Sequence, residues 1–413
     1  MATSAQGPVS GSVPSSEVTY KPRYIDIGIN LTDPVFRGQY HGSQRHTNDL
    51  SAVVSRAVEV GCQKLIATGS DLKSSRHALQ IAKEYPGTVY TTAGIHPCSS
   101  AIFSTTHSHV DTDGHTMPCD TDPNQPVSEA HDPDAARTTS IIAKLRGVIE
   151  EARGSGALVA FGEFGLDYDR LHYCSRKVQL HSFAAQLDLA LSLRPQLPLF
   201  LHSRAAHADF VGLLKEKFGP RLERLLRGAV VHSFTGSAEE MRELTDLGLY
   251  IGTNGCSFKT AENCAVVKEI HLDRLMLETD GPWCEVRPSH EGWKHLVEPP
   301  KPAKFVHPKT RANTSNAGGT ADAPLEDLAN QILQARLERQ SRKQPQKKGP
   351  QVPERFKVVK KEKWVEGAMV KGRNEPCSIE RVAKIVAGIK GVSVEEVCEA
   401  AWRNTTKVFS IDG

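Results

Sequence analysis

Long apolar runs are missing from this 413-residue chain. None reaches the roughly 20 residues that a membrane-spanning helix needs. Excess charge of one sign is missing too: 51 Lys plus Arg stand against 48 Asp plus Glu, for a net charge of +3 and a pI near 8.3. That balance is too mild to announce nucleic acid by itself, so a polyanion partner would have to meet a local basic face. Nine cysteines are present, an odd number, and no two form Cys-x-x-Cys. This argues against a disulfide framework and for reduced thiols in an intracellular compartment. The first twenty residues are rich in Ser, Gly and Pro and lack both a secretory apolar core and an Arg-rich transit bias. Residues 1–22 therefore read as a disordered leader on a cytoplasmic or nuclear protein. No Gly-rich dinucleotide turn follows the first apolar run, which weighs slightly against a doubly wound nucleotide-binding sheet.

What is there is a rhythm. Hydrophobic residues make up 39% and charged residues 24% of the chain, as in soluble globular proteins. From Tyr24 onward, short and often β-branched apolar runs alternate with amphipathic stretches. The apolar runs are Tyr24–Ile29, Lys64–Thr68, Val89–Gly94, Leu158–Gly162, Leu197–His202, Ala229–His232, Leu249–Gly252 and Arg274–Glu278. Bounded by Gly, Pro, Asn or Asp, they read as buried parallel strands. Helical spacing fills the stretches Leu50–Val60, Ser74–Tyr85, Gln179–Leu193, Ala206–Phe218 and Glu239–Leu247. Repeated strand–helix units imply a parallel sheet with right-handed crossovers, and eight strands point to a closed TIM-type (β/α)8 barrel.

Two segments break the rhythm. Cys98–Ala136 is rich in Ser, Thr, Asp, His and Pro and has no Lys or Arg. It reads as a solvated loop, its histidines His107, His109, His115 and His131 as surface residues. The second insertion, 298–372, starts Pro-rich and becomes basic, with 17 Lys plus Arg against 7 Asp plus Glu over residues 301–373. It reads as a low-complexity insertion or as a basic arm on DNA. The rest, 23–413, is expected to be one barrel domain. Ile379–Ile389 and Val394–Phe409 are its closing helices.

Polar residues gather where the expected strands end. His96 follows the third strand, Glu163 the fourth and Asp280 the eighth, while His202 and His232 end the fifth and sixth. In a barrel those C-terminal ends converge on one face. One such His is usually a hydrogen-bonded structural residue, and one Asp before Gly-Pro is usually a turn former. Two imidazoles and two carboxylates at successive strand ends form a divalent-metal constellation suited to Mg, Mn or Zn. The absence of thiolates argues against a structural zinc site.

These residues carry a family resemblance. The segments Asp26-Ile-Gly-Ile-Asn30-Leu-Thr, Ala-Gly-Ile-His96-Pro, Gly-Glu163-Phe-Gly-Leu-Asp167-Tyr, Leu-His202-Ser-Arg204, Val-His232-Ser-Phe-Thr-Gly, Glu-Thr-Asp280-Gly-Pro and Arg373-Asn374-Glu375-Pro376 resemble the TatD-type metal-dependent deoxyribonucleases, a branch of the amidohydrolase-like barrels. The resemblance is strongest to the eukaryotic TatD-domain enzymes and covers most of 23–297 and 373–410. It implies Glu163, His202, His232 and Asp280 as metal ligands and His96 at the scissile phosphate. It also implies Mg-dependent cleavage of DNA, plausibly 3′-to-5′ exonucleolytic. Many relatives open with a His-x-His pair where this chain has Gly28 and Asn30, which leaves one or two ions as alternatives. Catalytic roles fall to Asp280, Glu163 and His96, with Asp280 either a general base or a ligand. Arg204 is a candidate phosphate contact, with a salt bridge to Asp167 or Asp209 as the alternative; Arg373 is a second candidate.

Two other readings compete. One is hydrolysis of a small ester or of aminoacyl-RNA. The other is a non-catalytic DNA-binding protein, which would have no need for four polar residues at barrel ends. The sequence points to no obligate protein partner and to no membrane partner.

Overall fold

A computed structural model describes residues 20–105, 132–297 and 352–411. The chain divides into two compact units, residues 1–295 with 356–413, and residues 296–355. Almost all of the second lies outside the described residues, as do His107, His109, His115 and His131 and the expected basic arm from 301 to 351.

The first unit is an eight-stranded parallel barrel whose strands neighbour one another in sequence order. They are β1 Tyr24–Ile29, β2 Cys62–Ala67, β3 Val89–Ala93, β4 Leu158–Asp167, β5 Leu199–Arg204, β6 Ala229–Val231, β7 Tyr250–Thr253 and β8 Leu275–Leu277. Nearly every strand residue is buried, which is what continuous apolar runs without alternation require when helices cover the outer face. The helices are α1 Leu50–Glu59, α2 Leu72–Glu84, α3 Ala135–Gly154, α4 Arg176–Ser192, α5 His207–Phe218, α6 Ala238–Asp246, α7 Ala261–Glu269, α8 Ile379–Lys390 and α9 Val394–Phe409. Sequence-local capping boxes start three of them: Asp71 with Ser74 in α2, Ser237 with Glu240 in α6, and Ser393 with Glu396 in α9.

The seam between β1 and β8 is closed by few bonds. Asp280 N donates to Gly28 O and Asn30 N donates to Gly281 O, both at 2.8 Å. The fully buried Asp26 adds a side-chain clasp: Oδ1 accepts from Thr279 N at 2.9 Å and Oδ2 from Thr279 Oγ1 at 2.5 Å. Burial drives the Asp26 carboxyl up to about 8 against the Thr279 hydrogen bonds. Helix α9 packs against this region. Trp402, Val408 and Phe409 join Ile25, Ile27 and Met276 in one buried cluster, and burying a side chain such as Phe409 contributes about 1.5–3 kcal/mol. Asn404 Nδ2 donates to Leu272 O and Leu275 O at 2.8 Å each.

Three boundaries differ from expectation. Strand β4 runs on to Asp167, so Glu163 lies within it rather than after it. The loop expected over 98–136 starts as a 3-10 turn, Pro97–Phe103, with Phe103 fully buried, and ends inside α3. Only Leu145, Val148, Ile149 and Ala152 are buried in α3, so its apolar stripe is faint. Within the expected insertion, Phe356 onward belongs to the barrel unit. There Val358–Val359 pairs with Met369–Val370, and Trp364 stacks on His46 at 4.9 Å. No described helix is long and apolar enough to cross a membrane.

Candidate metal centre

Glu163 is the hub. Its Oε1 lies 2.6 Å from His232 Nε2, 3.0 Å from His202 Nδ1 and 3.3 Å from His96 Nε2. His202 Nδ1 and His232 Nε2 stand 3.3 Å apart. All four residues are at most 7% exposed. Glu163 in β4 and His202 in β5 thus meet His96 and His232, which lie just past the ends of β3 and β6.

The far side of each ring decides what its near side does. His202 Nε2 is 3.1 Å from Asp167 Oδ2. An ionised carboxylate only accepts, so Nε2 carries the proton and Nδ1 turns a lone pair toward Glu163. His232 Nδ1 faces Glu278 Oε2 at 3.4 Å, although neither atom makes an aligned hydrogen bond. A proton on Nδ1 toward Glu278 would turn the Nε2 lone pair inward as well, 2.6 Å from Glu163 Oε1. His96 is built the other way. Its Nδ1 accepts from Cys98 N at 3.0 Å as the cap of the Pro97–Phe103 turn, so the neutral ring presents an Nε2–H donor.

Two imidazole lone pairs aimed at a carboxylate oxygen demand a cation between them. Ligand atoms around a tetrahedral ion with bonds of about 2.0–2.1 Å stand roughly 3.3 Å apart; the His202–His232 separation matches this, and the 2.6 Å between Glu163 and His232 would have to open to admit an ion. The donor set of Glu163, His202 and His232 fits a divalent metal; His96 has the spacing to join Glu163 and His202 around one but turns an N–H toward them. Without an ion, protons take its place. Glu163 is held well below the usual carboxylate range: burial opposes its charge, but His232, His96 and hydrogen bonds from His202 and His232 outweigh burial. His232 is pushed well above the usual imidazole range, burial again being outweighed by Glu163 and Glu278.

Asp280 has its own set of partners. Its carboxylate accepts from Asn30 Nδ2 at 3.1 Å, from Cys284 Sγ at 3.3 Å and from Ser233 Oγ at 3.5 Å. Asn30 is itself fixed by Thr68 Oγ1, which donates to its Oδ1 at 2.8 Å.

The absent His-x-His pair has a structural counterpart. A Cβ on Gly28 would come within 2.7 Å of Glu278 Oε2. The bare glycine leaves room for Glu278, which backs His232 and accepts from Ser233 N and Asn254 Nδ2. Sequence reasoning missed Glu278 and the pairing of Asp167 with His202. The Glu-Thr-Asp and Gly-Leu-Asp contexts were the available signals.

The two arginines differ. Arg204 Nη1 is 3.9 Å from Asp167 Oδ2, a loose pair on a part-exposed side chain. Arg373 is occupied elsewhere. Its Nη1 donates to Asp49 Oδ1 and Val35 O at 2.9 Å, and its Nη2 to Asp49 Oδ2 at 2.6 Å and Glu375 Oε1 at 2.8 Å. This guanidinium is 2% exposed, and both of its Nη atoms are engaged within the fold, while its buried Nε makes no hydrogen bond.

Known proteins resemble this chain in sequence and fold. The family model "TatD related DNase" matches residues 25–335. "Deoxyribonuclease Tat-D" of Schizosaccharomyces pombe is 39% identical over 388 residues, spanning 94% of this chain and 96% of that protein. "3'-5' ssDNA/RNA exonuclease TatD" of Edwardsiella piscicida is 35% identical over 63% of this chain and 79% of its own length. A crystal structure described as an uncharacterized amidohydrolase from Saccharomyces cerevisiae superposes with a TM-score of 0.66 at 30% identity, covering 94% of this chain and all of that one. With the fold, the extent of the match and the clustered strand-end residues in agreement, the chain belongs to the TatD-related DNase family.

Proposed function

We propose that this protein is a divalent-metal-dependent deoxyribonuclease that hydrolyses phosphodiester bonds in DNA, working 3′ to 5′. The observation that carries the reading is the convergence of His202 Nδ1 and His232 Nε2 on Glu163 Oε1, each ring backed by a carboxylate. Relatives named deoxyribonuclease and 3'-5' exonuclease support the reaction and its direction.

Glu163, His202 and His232 hold the cation, with Mg the first choice and Mn or Zn as substitutes. A bound divalent cation lowers the pKa of water and offsets charge growing on a phosphoryl oxygen. Asp280 takes the proton from the attacking water; its carboxylate is bonded to Asn30, Ser233 and Cys284 rather than to the imidazoles. His96 donates from Nε2 to the scissile phosphate, a role its Cys98-fixed tautomer suits. Arg204, loosely paired, reaches the neighbouring phosphate oxygen. Because Gly28 and Asn30 stand where a second pair of imidazoles would be, one ion suffices.

The test is cleavage of a 5′-labelled single-stranded oligonucleotide by wild type and Glu163→Ala with Mg, Mn or Zn, and with excess EDTA. Stepwise 3′ shortening that E163A and EDTA both abolish supports the reading. Undiminished cleavage in EDTA overturns it.

A further inference from the structure

Cys256 and Cys284 meet beside Asp280. The first is the second residue of the 3-10 turn Gly255–Phe258 after β7, and the second lies four residues past Asp280, to which its thiol donates. Their sulfurs are 2.7 Å apart, and both are free thiols. The two turns abut because residue 255 has no side chain: a Cβ on Gly255 would lie 1.8 Å from Cys284 O. Among the eight described cysteines, these two are the ones not buried.

The separation selects one chemistry. Two thiolates on a shared zinc stand about 3.8 Å apart, whereas a disulfide needs about 2.05 Å. The pair is closer than the first requires and within roughly 0.7 Å of the second. It also touches the site on both sides. Cys284 Sγ donates to Asp280 Oδ2. Asn254, which accepts from Cys256 N at 2.8 Å, also donates to Glu278 Oε1 at 3.2 Å and to Ser233 Oγ at 2.9 Å.

We propose that Cys256 and Cys284 form a reversible disulfide, an oxidative modification site that turns down the adjacent hydrolytic centre. The oxidant is a peroxide. Cys256 sulfur attacks one oxygen of hydrogen peroxide, the O–O bond breaks, and the thiol proton leaves with the departing hydroxide as water. Cys284 sulfur then displaces hydroxide from the Cys256 sulfenic acid, forming the S–S bond and releasing a second water with the Cys284 proton. Two thiols and one peroxide give one disulfide and two waters, and two electrons pass from sulfur to oxygen. Small thiols reverse the step by exchange. Oxidation strips Asp280 of the Cys284 donor and ties its turn to the one that Asn254 links to Glu278. The disulfide itself is independent of the proposed nuclease activity; only the loss of cleavage rests on that reading.

The full-length protein is treated with hydrogen peroxide, mapped by non-reducing peptide mass spectrometry, and assayed on single-stranded DNA before oxidation, after it, and after dithiothreitol. The expected result is a 256–284 cross-linked peptide lacking two hydrogens, a roughly tenfold fall in cleavage, and recovery on reduction. Cys256→Ser keeps its activity through the same treatment. Both thiols remaining alkylatable after peroxide, a cross-link that leaves activity unchanged, or an equal loss in C256S overturns the proposal. If reduced protein cleaves no DNA, the nuclease reading falls, and the switch is read from Mn affinity by calorimetry. Oxidation lowers that affinity if the proposal holds, and an unchanged affinity overturns it.

Discussion

His202 presents Nδ1 to Glu163 because its Nε2 stands 3.1 Å from Asp167 Oδ2. Asp167 is completely buried and held in turn by Arg170 Nη1 at 2.9 Å. Its carboxyl lies below the usual range, burial being outweighed by His202 and by the Arg204 and Arg170 guanidiniums. An acid that stays ionised accepts hydrogen bonds only, so the tautomer of His202 is set from behind.

Asp167→Asn tests this relay. A carboxamide also donates, and an Nδ2–H facing Nε2 moves the ring proton to Nδ1, where it blocks the cation. Mn affinity measured by calorimetry is expected to fall 10- to 100-fold, with the circular dichroism spectrum unchanged. Wild-type affinity in D167N would show that the ring keeps its tautomer without Asp167.

His96 behaves differently because its Nδ1 is spent on Cys98 N. In His96→Asn the shorter side chain still caps the turn, asparagine being a strong N-cap, but the Nε2–H donor is gone. The turnover number is expected to drop about 10²-fold or more, while Mn affinity stays within about twofold of wild type. A matching collapse of affinity would make His96 a ligand instead.

The convergence of Glu163, His202 and His232 was legible in the sequence because a parallel barrel turns one end of every strand to the same mouth, although the strand that carries Glu163 runs on to Asp167. Their partners were not. Glu278 reads as the last residue of an apolar run, and only the space left by Gly28, 250 positions earlier, lets it back His232. The clamp on Arg373 was illegible for a related reason. Its clamp comes from Asp49 at the start of α1 and from Glu375, and the first of these pairings is a tertiary fact. Boundaries failed where local signals were ambiguous: α3 buries too narrow a stripe, and the sequence from Phe356 looks like low complexity although Trp364 packs on His46.

For Arg373, the buried clamp predicts a stability defect. Arg373→Met leaves Asp49 facing Arg56 at 3.7 Å and the His46 ring at 4.0 Å, and Glu375 facing Arg56 Nε at 2.8 Å. Breaking a buried pair costs about 3–5 kcal/mol, read as a lower urea midpoint at unchanged slope. Arg204→Met is the control in the other direction, raising KM for DNA with little change in the midpoint. Equal midpoints for R373M and wild type would rule out a structural role.

Asp26 supplies a pH signature of barrel closure. Burial holds its carboxyl up at about 8 in the folded chain, against about 3.9 when unfolded. Between those values the unfolded chain has released the proton and the folded chain has kept it, so stability falls as pH rises. Below the lower value both states are protonated and the contribution is fully present; it is lost as pH climbs through the folded pKa. Asp26→Asn keeps a neutral side chain at the Thr279 seam at every pH and removes this dependence. Urea unfolding at pH 5 and pH 7 should therefore show wild type losing on the order of 1–3 kcal/mol relative to D26N across that interval. Parallel curves for the two proteins would mean that Asp26 is ionised in the folded barrel, with the Thr279 hydrogen bonds outweighing its burial.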